Sequence, residues 1–184
     1  MPQSTGPAPV RTSSGAEIPI VSLPQTELLS VNEADIELVR DALGEGISFK
    51  PLRLDLERNE WVVIAQMAPG TRLPVHYHTG PVDLLTMAGS WHYLEYPDQP
   101  QTAGSYLYEP GGSVHTLVCP ETNTEDTLMF VRVSGSNVNF NEDGSFHSIL
   151  DTLLLRHLTD TLAKEPPNYI EGGEAGLTES PKRS

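Results

Sequence analysis

The chain has a single cysteine, Cys119, among its 184 residues. No intrachain disulfide can form and no cluster of thiolates can hold a metal ion. Positive charge is scarce as well: 11 Lys and Arg stand against 25 Asp and Glu, a formal net charge of -14. A surface so poor in cations repels phosphate backbones and anionic headgroups, which argues against nucleic-acid and membrane partners. No apolar run approaches the ~20 residues that span a bilayer. Met1 to Ala16 brings Ser, Thr, Pro and Gly but no apolar segment of the kind a secretory signal needs. The expectation is a cytoplasmic protein.

Turn-forming residues are abundant, with 15 Gly and 16 Pro spread along the chain rather than gathered into a linker. The length suits one hydrophobic core plus tails. Residues 1–17 read as a flexible N-terminal tail, 18–171 as a single domain and 172–184 as a flexible C-terminal tail. Asn32 to Leu43 predicts a short helix: Asn32 can cap it, Glu33 and Asp35 suit its positive end, and Gly44 follows.

From Ile47 the pattern changes to short strands: 47–54, 61–67, 73–78, 82–88, 90–96, 105–109, 114–119 and 127–133. Turn residues separate many of them, as at Thr79-Gly80-Pro81, Pro97-Asp98 and Pro110-Gly111-Gly112. Such spacing predicts an all-β barrel or sandwich. Ile149, Leu153, Leu154, Leu158 and Leu162 then recur at mostly four-residue steps, which predicts a helix over about 147–163 with one apolar stripe.

The sharpest local feature is His76-Tyr77-His78. Strand side chains alternate faces, so two imidazoles two residues apart point the same way and can grip one metal ion. Gly70, five residues, then His76-x-His78, then Gly89, resembles the first motif of the cupin superfamily. Gly104, five residues, Pro110-x-Gly112, two residues and His115 resembles the second. Two positions depart from the pattern. Val82 stands where the first motif usually has Glu, and Cys119 where the second usually ends in Asn. Asp83, next to Val82, should turn away from the ligand face. Trp91, Tyr93 and Glu95 share one strand face by alternation, so Glu95 is the carboxylate expected at the site.

The stretch from about Val62 to Glu171 is similar to the 2,4'-dihydroxyacetophenone dioxygenase family. It carries His76 to Val82, Gly89-Ser90-Trp91, Tyr93-Leu94-Glu95, Ala103-Gly104-Ser105, Tyr108-Glu109, His115 to Val118, Asn141 to Gly144 and Tyr169-Ile170-Glu171. The resemblance implies a cupin double-stranded β-helix, a jelly-roll barrel with short flanking helices. It implies a non-haem iron dioxygenase that cleaves a carbon–carbon bond of a hydroxyketone or diketone with O2 to give carboxylic acids. His76, His78 and His115 would be the metal ligands, and Glu95 a fourth ligand or the catalytic base. Fe(II) is the expected cofactor, with Zn, Ni or Cu able to take the same ligands. The expected partners are a small-molecule substrate, O2 and copies of the same chain, as a homodimer or homotetramer. A non-catalytic metal-binding cupin sensor, a small-molecule binding module and a cupin isomerase are the rival readings. Trp91, Tyr93 and Met87 are candidate lining residues, Met87 with a core role as its default. His92, His147 and His157 read as surface or packing residues, and Cys119 as a small buried hydrophobe.

Overall fold

A computed structural model describes residues 12–17 and 30–164. The chain divides into two compact units, and the larger, Val31–Gly172, holds every element named below. In the other unit, the described residues make a turn in which Gly15 N donates to Thr12 O at 2.9 Å. The expected tails at 1–17 and 172–184 otherwise lie outside the described residues, as do both ends of the expected domain 18–171 and the Tyr169-Ile170-Glu171 signature. No helix among the described residues is long and apolar enough to cross a membrane.

Among the described residues, twelve strands build three antiparallel sheets. They are β1 (Ile47–Asp55), β2 (Glu60–Met67), β3 (Val75–His78), β4 (Val82–Ala88), β5 (Ser90–Tyr93) and β6 (Tyr96–Thr102). There follow β7 (Tyr106–Glu109), β8 (Val114–His115), β9 (Leu117–Val118), β10 (Thr127–Ser134), β11 (Asn137–Phe140) and β12 (Phe146–Leu150). One helix, α1 (Thr152–Leu162), closes the described chain. The orders are β1-β2-β10-β4-β7, β12-β11-β3-β8 and β6-β5-β9. Neighbours distant in sequence, such as β2 beside β10 and β3 beside β11, make this the jelly-roll topology that the sequence led us to expect.

Alternation explains the longest sheet. Along β10 the residues Thr127, Met129, Val131 and Val133 turn inward and are buried, while Leu128, Phe130, Arg132 and Ser134 face out. With Phe49, Trp61, Val63, Met67 and Leu84, the inward apolar residues form the core. On the outer face Arg132 pairs with Glu60 at 2.5 Å and Asp83 at 3.1 Å, so Asp83 turns away from the interior as alternation requires.

Three expectations change. The helix over Asn32 to Leu43 shrinks to a 3₁₀ turn at Glu33–Asp35, with Asn32 capping it through Ala34 N. Val39 exchanges backbone hydrogen bonds with Phe49 at 2.8 and 3.2 Å and is buried, and that extended bridge is incompatible with helix. The second helix starts later than 147, because β12 continues to Leu150 by pairing with β11. Asp151 then caps α1 by accepting from Leu154 N at 2.9 Å. Its buried face is Thr152, Leu155 and Thr159, whereas Ile149, Leu153 and Leu162 of the expected stripe are exposed. Pro97-Asp98, read as a turn, lies inside β6. That strand is at a sheet edge, where proline is tolerated, and Pro97 has no partner in the register with β5.

Candidate metal centre

The two expected motifs meet in the four-stranded sheet. β3 places His76 and His78 on one face, both buried, and β8 pairs beside it with His115 directly across from His76. The turn between β7 and β8 is held to the end of β3, where Gly112 N donates to His78 O at 2.8 Å. Gly80, just after β3, has no room for a side chain, since a Cβ there would lie 1.9 Å from Ser134 O. The three ring centroids are 4.8 to 5.2 Å apart, and one imidazole nitrogen from each lies within 4.8 Å of the others. The three histidines singled out in the sequence thus come together in one cluster that could hold a metal ion.

The carboxylate at this cluster is Glu109. Its Oε2 lies 2.8 Å from His78 Nε2 and 3.4 Å from His115 Nε2, and it is as buried as they are. Tyr93 OH donates to Glu109 Oε1, and the Tyr93 ring stacks on His115 at 4.3 Å between centroids. Glu109 is the cross-strand partner of Val82, the position where a carboxylate was missing from the first motif. The alternation Tyr106-Leu107-Tyr108-Glu109, with Glu109 buried and its tyrosine neighbours exposed, was the available signal.

Glu95 departs from expectation. β5 ends at Tyr93, so alternation stops there and Glu95 falls in the exposed turn before β6. Its Oε2 accepts from Thr116 N at 2.9 Å, which ties the turn to the residue following His115. Desolvation works to raise the Glu95 carboxyl, but the bonds from Thr116 hold it below its ordinary value. Of the expected lining residues, Tyr93 reaches the site. Trp91 is fully buried, its Nε1 donating to Thr86 Oγ1 at 2.9 Å, and its ring meets Tyr93 edge-on. Met87, with a core role as its default, is exposed on the outer face of β4. His92 is half-buried on β5, while His147 (now on β12) and His157 on α1 are exposed. Cys119 is buried, and burial pushes its thiol up.

The site's own chemistry suits a metal ion. His76 Nδ1 lies 2.8 Å from Pro74 O, so Nδ1–H donates there and the Nε2 lone pair is left for the cluster. Burial pushes the His76 pKa down to about 4, against the opposing effect of the Pro74 bond, and burial likewise lowers His115. Neutral imidazoles are what a metal binds. His115 Nε2 is buried without a hydrogen-bond partner, as an unshared ligand atom would be, His78 Nδ1 is likewise unpaired, and Glu109 Oε2 faces the Nε2 atoms of both His78 and His115. Three imidazoles and one carboxylate match the preferences of iron, zinc, nickel and copper.

Two spaces adjoin the cluster. An inner cavity of about 80 Å³ is walled mostly by apolar side chains, among them Phe49, Trp61, Val63 and Met129, and reaches His76, His78 and Asn137. An outer groove of about 210 Å³ runs past Tyr96, Gln99, Gln101, Tyr108 and Ser113 to His115. Tyr93 and Glu109 line both.

A family model described as the ChrR cupin-like domain matches residues 28–136. Among solved structures, the chain is 36% identical to a cupin-like protein of unknown function from Ralstonia eutropha JMP134, with a TM-score of 0.76 over 86% of this chain and 100% of that one. An RmlC-like cupin from the same organism is 23% identical, with a TM-score of 0.68 over 78% of this chain and 93% of that one. An acetylacetone dioxygenase from Acinetobacter johnsonii is 15% identical, with a TM-score of 0.62 over 79% of this chain and 99% of that one. The last two likenesses are of fold alone. No curated protein matches.

Proposed function

The chain belongs to the ChrR cupin-like domain family, and from that premise we propose that it is a non-haem Fe(II) dioxygenase acting on a small hydroxyketone or diketone. The observation that carries the reading is the set of three buried imidazoles with Glu109 beside two of them, at the junction of a cavity and a groove. His76, His78 and His115 would hold the metal. An acetylacetone dioxygenase is among the proteins that share the fold.

Bound there, Fe(II) supplies Lewis acidity toward the substrate's oxygens and reactivity toward O2. The chain's residues supply the rest. Glu109 Oε2 is the atom placed to take the proton lost as the substrate becomes an enolate, and the Tyr93 hydroxyl fixes that carboxylate by holding Oε1. The apolar cavity wall excludes water from the electron-rich carbon. For a hydroxyketone, the carbonyl carbon and its hydroxylated neighbour each gain one oxygen atom as their bond breaks. One substrate and one O2 thus give two carboxylic acids.

The test is elemental analysis of anaerobically purified protein beside His115→Ala, followed by oxygen-electrode traces on adding hydroxyketones or diketones. The expected result is close to one iron per chain, lost in the variant, with oxygen uptake in the parent alone. A metal-loaded protein that consumes no oxygen with any such substrate would instead favour the non-catalytic metal-binding cupin.

A further inference from the structure

An imidazole that gives one nitrogen to a metal must lodge the hydrogen of the other on an acceptor. For His76 that acceptor is in place, since Nδ1 lies 2.8 Å from Pro74 O. His78 turns Nε2 toward Glu109 Oε2, 2.8 Å away, which leaves Nδ1 to carry the hydrogen. This Nδ1 is buried and has no hydrogen-bond partner. Asn137 opens β11 directly across from His78 in the sheet register, is 6% exposed, and has a buried Oδ1 that is unpaired as well. Among the described residues, four buried side-chain atoms lack a hydrogen bond, and all four belong to this site. Two of them, His115 Nε2 and Glu109 Oε2, face each other at the cluster, 3.4 Å apart. The other two are a donor and an acceptor on facing residues of neighbouring strands.

Directly opposed residues of an antiparallel pair share a sheet face, with Cβ atoms about 4.5–5.5 Å apart. Nδ1 and Oδ1 each stand only two bonds from their Cβ, so side-chain rotation alone can join them without moving either strand. Other donors lining the same cavity are placed elsewhere: the Tyr93 hydroxyl donates to Glu109 Oε1, and Ser48, whose Oγ accepts from Asp41 N, belongs to β1 in the other sheet. We propose that Asn137 is a positioning residue for the metal centre: with a metal on Nε2, His78 Nδ1–H donates to Asn137 Oδ1. That bond fixes the rotation of the His78 ring and strengthens Nε2 as a ligand, as partners of the off-metal nitrogen generally do. The inference deepens the metal-binding part of the proposed function and rests on it for ligation by His78, but it requires no oxygenase activity.

The test uses the full chain and zinc, which is diamagnetic, with a chromophoric chelator as competitor. Asn137→Leu keeps the size of the side chain and removes the acceptor, so zinc affinity should fall about 10–100-fold. Asn137→Asp keeps an acceptor and should retain wild-type affinity. Urea midpoints of metal-free protein separate this role from a merely structural one. A structural residue would lower the midpoint when replaced, whereas Asn137→Leu should leave it unchanged or raise it, because an unpaired buried oxygen is gone. Proton spectra of zinc-loaded, 15N-labelled protein supply the direct readout. The His78 Nδ1–H resonance should move upfield in Asn137→Leu, while that of His76, still bonded to Pro74 O, stays in place. Asn137→Val carries the same test if the leucine variant does not fold. Unchanged zinc affinity and an unmoved His78 resonance in the leucine or valine variant would overturn the proposal, as would an equal loss of affinity in Asn137→Asp. Wild-type protein that binds no zinc would sink the metal centre along with it, whereas tight wild-type binding that survives every substitution would remove Asn137 alone.

Discussion

The five-stranded and four-stranded sheets are built for different tasks. In the first, β1, β2, β10 and β4 run for 9, 8, 8 and 7 residues and bury a mainly apolar inner face, with Ser48, Asp55, Thr86 and Thr127 as its buried polar residues, while the short edge strand β7 lends Glu109 to the site. In the second, β3 and β11 run for 4 residues each and β8 for 2, and together they bury three imidazoles and a carboxamide. Long ladders with apolar inward faces are stable without help from any ligand. Short strands that bury polar atoms depend on their flanking turns and, on our reading, on a metal. The contrast is between a frame that supplies folding energy and a shelf that spends part of it on chemistry.

The largest expected effect breaks the frame. Phe49 is 1% exposed and packs in the core while its backbone bridges Val39. Phe49→Ala should cost roughly 3–5 kcal/mol. Denaturant titration should show the loss in metal-free as well as metal-loaded protein, because Phe49 supplies core packing and no ligand atom. A loss confined to the metal-loaded form would contradict the division between the sheets.

The second effect belongs to the shelf and to pH. An unfolded histidine takes up its proton near pH 6.5, whereas the buried His76 resists until about 4. In that window the unfolded chain binds more protons, so the stability of the metal-free protein should fall as pH drops from 6.5 toward 4. For His76 the loss is on the order of 3 kcal/mol, and His115, lowered in the same direction, adds to it. Urea midpoints of metal-free protein across that range check the sign. Metal-loaded protein should hold its midpoint further into acid, since ligation keeps the imidazoles neutral.

The same contrast governs what could be read from the chain. The long strands announce themselves by alternation over seven or more residues, and β4 has the expected bounds of 82–88. The histidines were legible because two residues on one strand face, with glycine and proline at fixed distances, form a motif independent of the surrounding packing. The short elements were not. β11 and β12 give too few residues to show a period, β6 contains two prolines, and α1 took its phase from Leu153 when its buried face is centred on Leu155. Asn137 was silent for a different reason: an asparagine at a strand start reads as turn chemistry, whereas here it is buried across from His78.

The third effect tests which acid serves the shelf. Glu109→Gln removes the charge beside His78 and His115 but keeps the shape, and its amide can still meet the Tyr93 hydroxyl. Metal affinity should fall about 10–100-fold, the usual range for losing a group that supports metal ligands. A competition assay with a chromophoric chelator reads this directly, and oxygen uptake should fall further than metal content because the proton acceptor is lost as well.

The smallest expected effect is the most discriminating. Glu95 was the acid that alternation favoured, yet it sits exposed in the turn after β5, bonded to Thr116 N. In Glu95→Gln the amide oxygen can accept the same hydrogen bond, so the turn stays anchored and His115 stays in place. Stability should change by less than about 0.5 kcal/mol, as for most exposed substitutions. Metal content and oxygen uptake should match the parent. If instead Glu95→Gln lost metal or turnover while Glu109→Gln kept both, the carboxylate would belong to the β5–β6 turn. The place of Glu109 across from Val82 would then have no chemical meaning, and the site's acid would come from the third sheet, which otherwise contributes Tyr93.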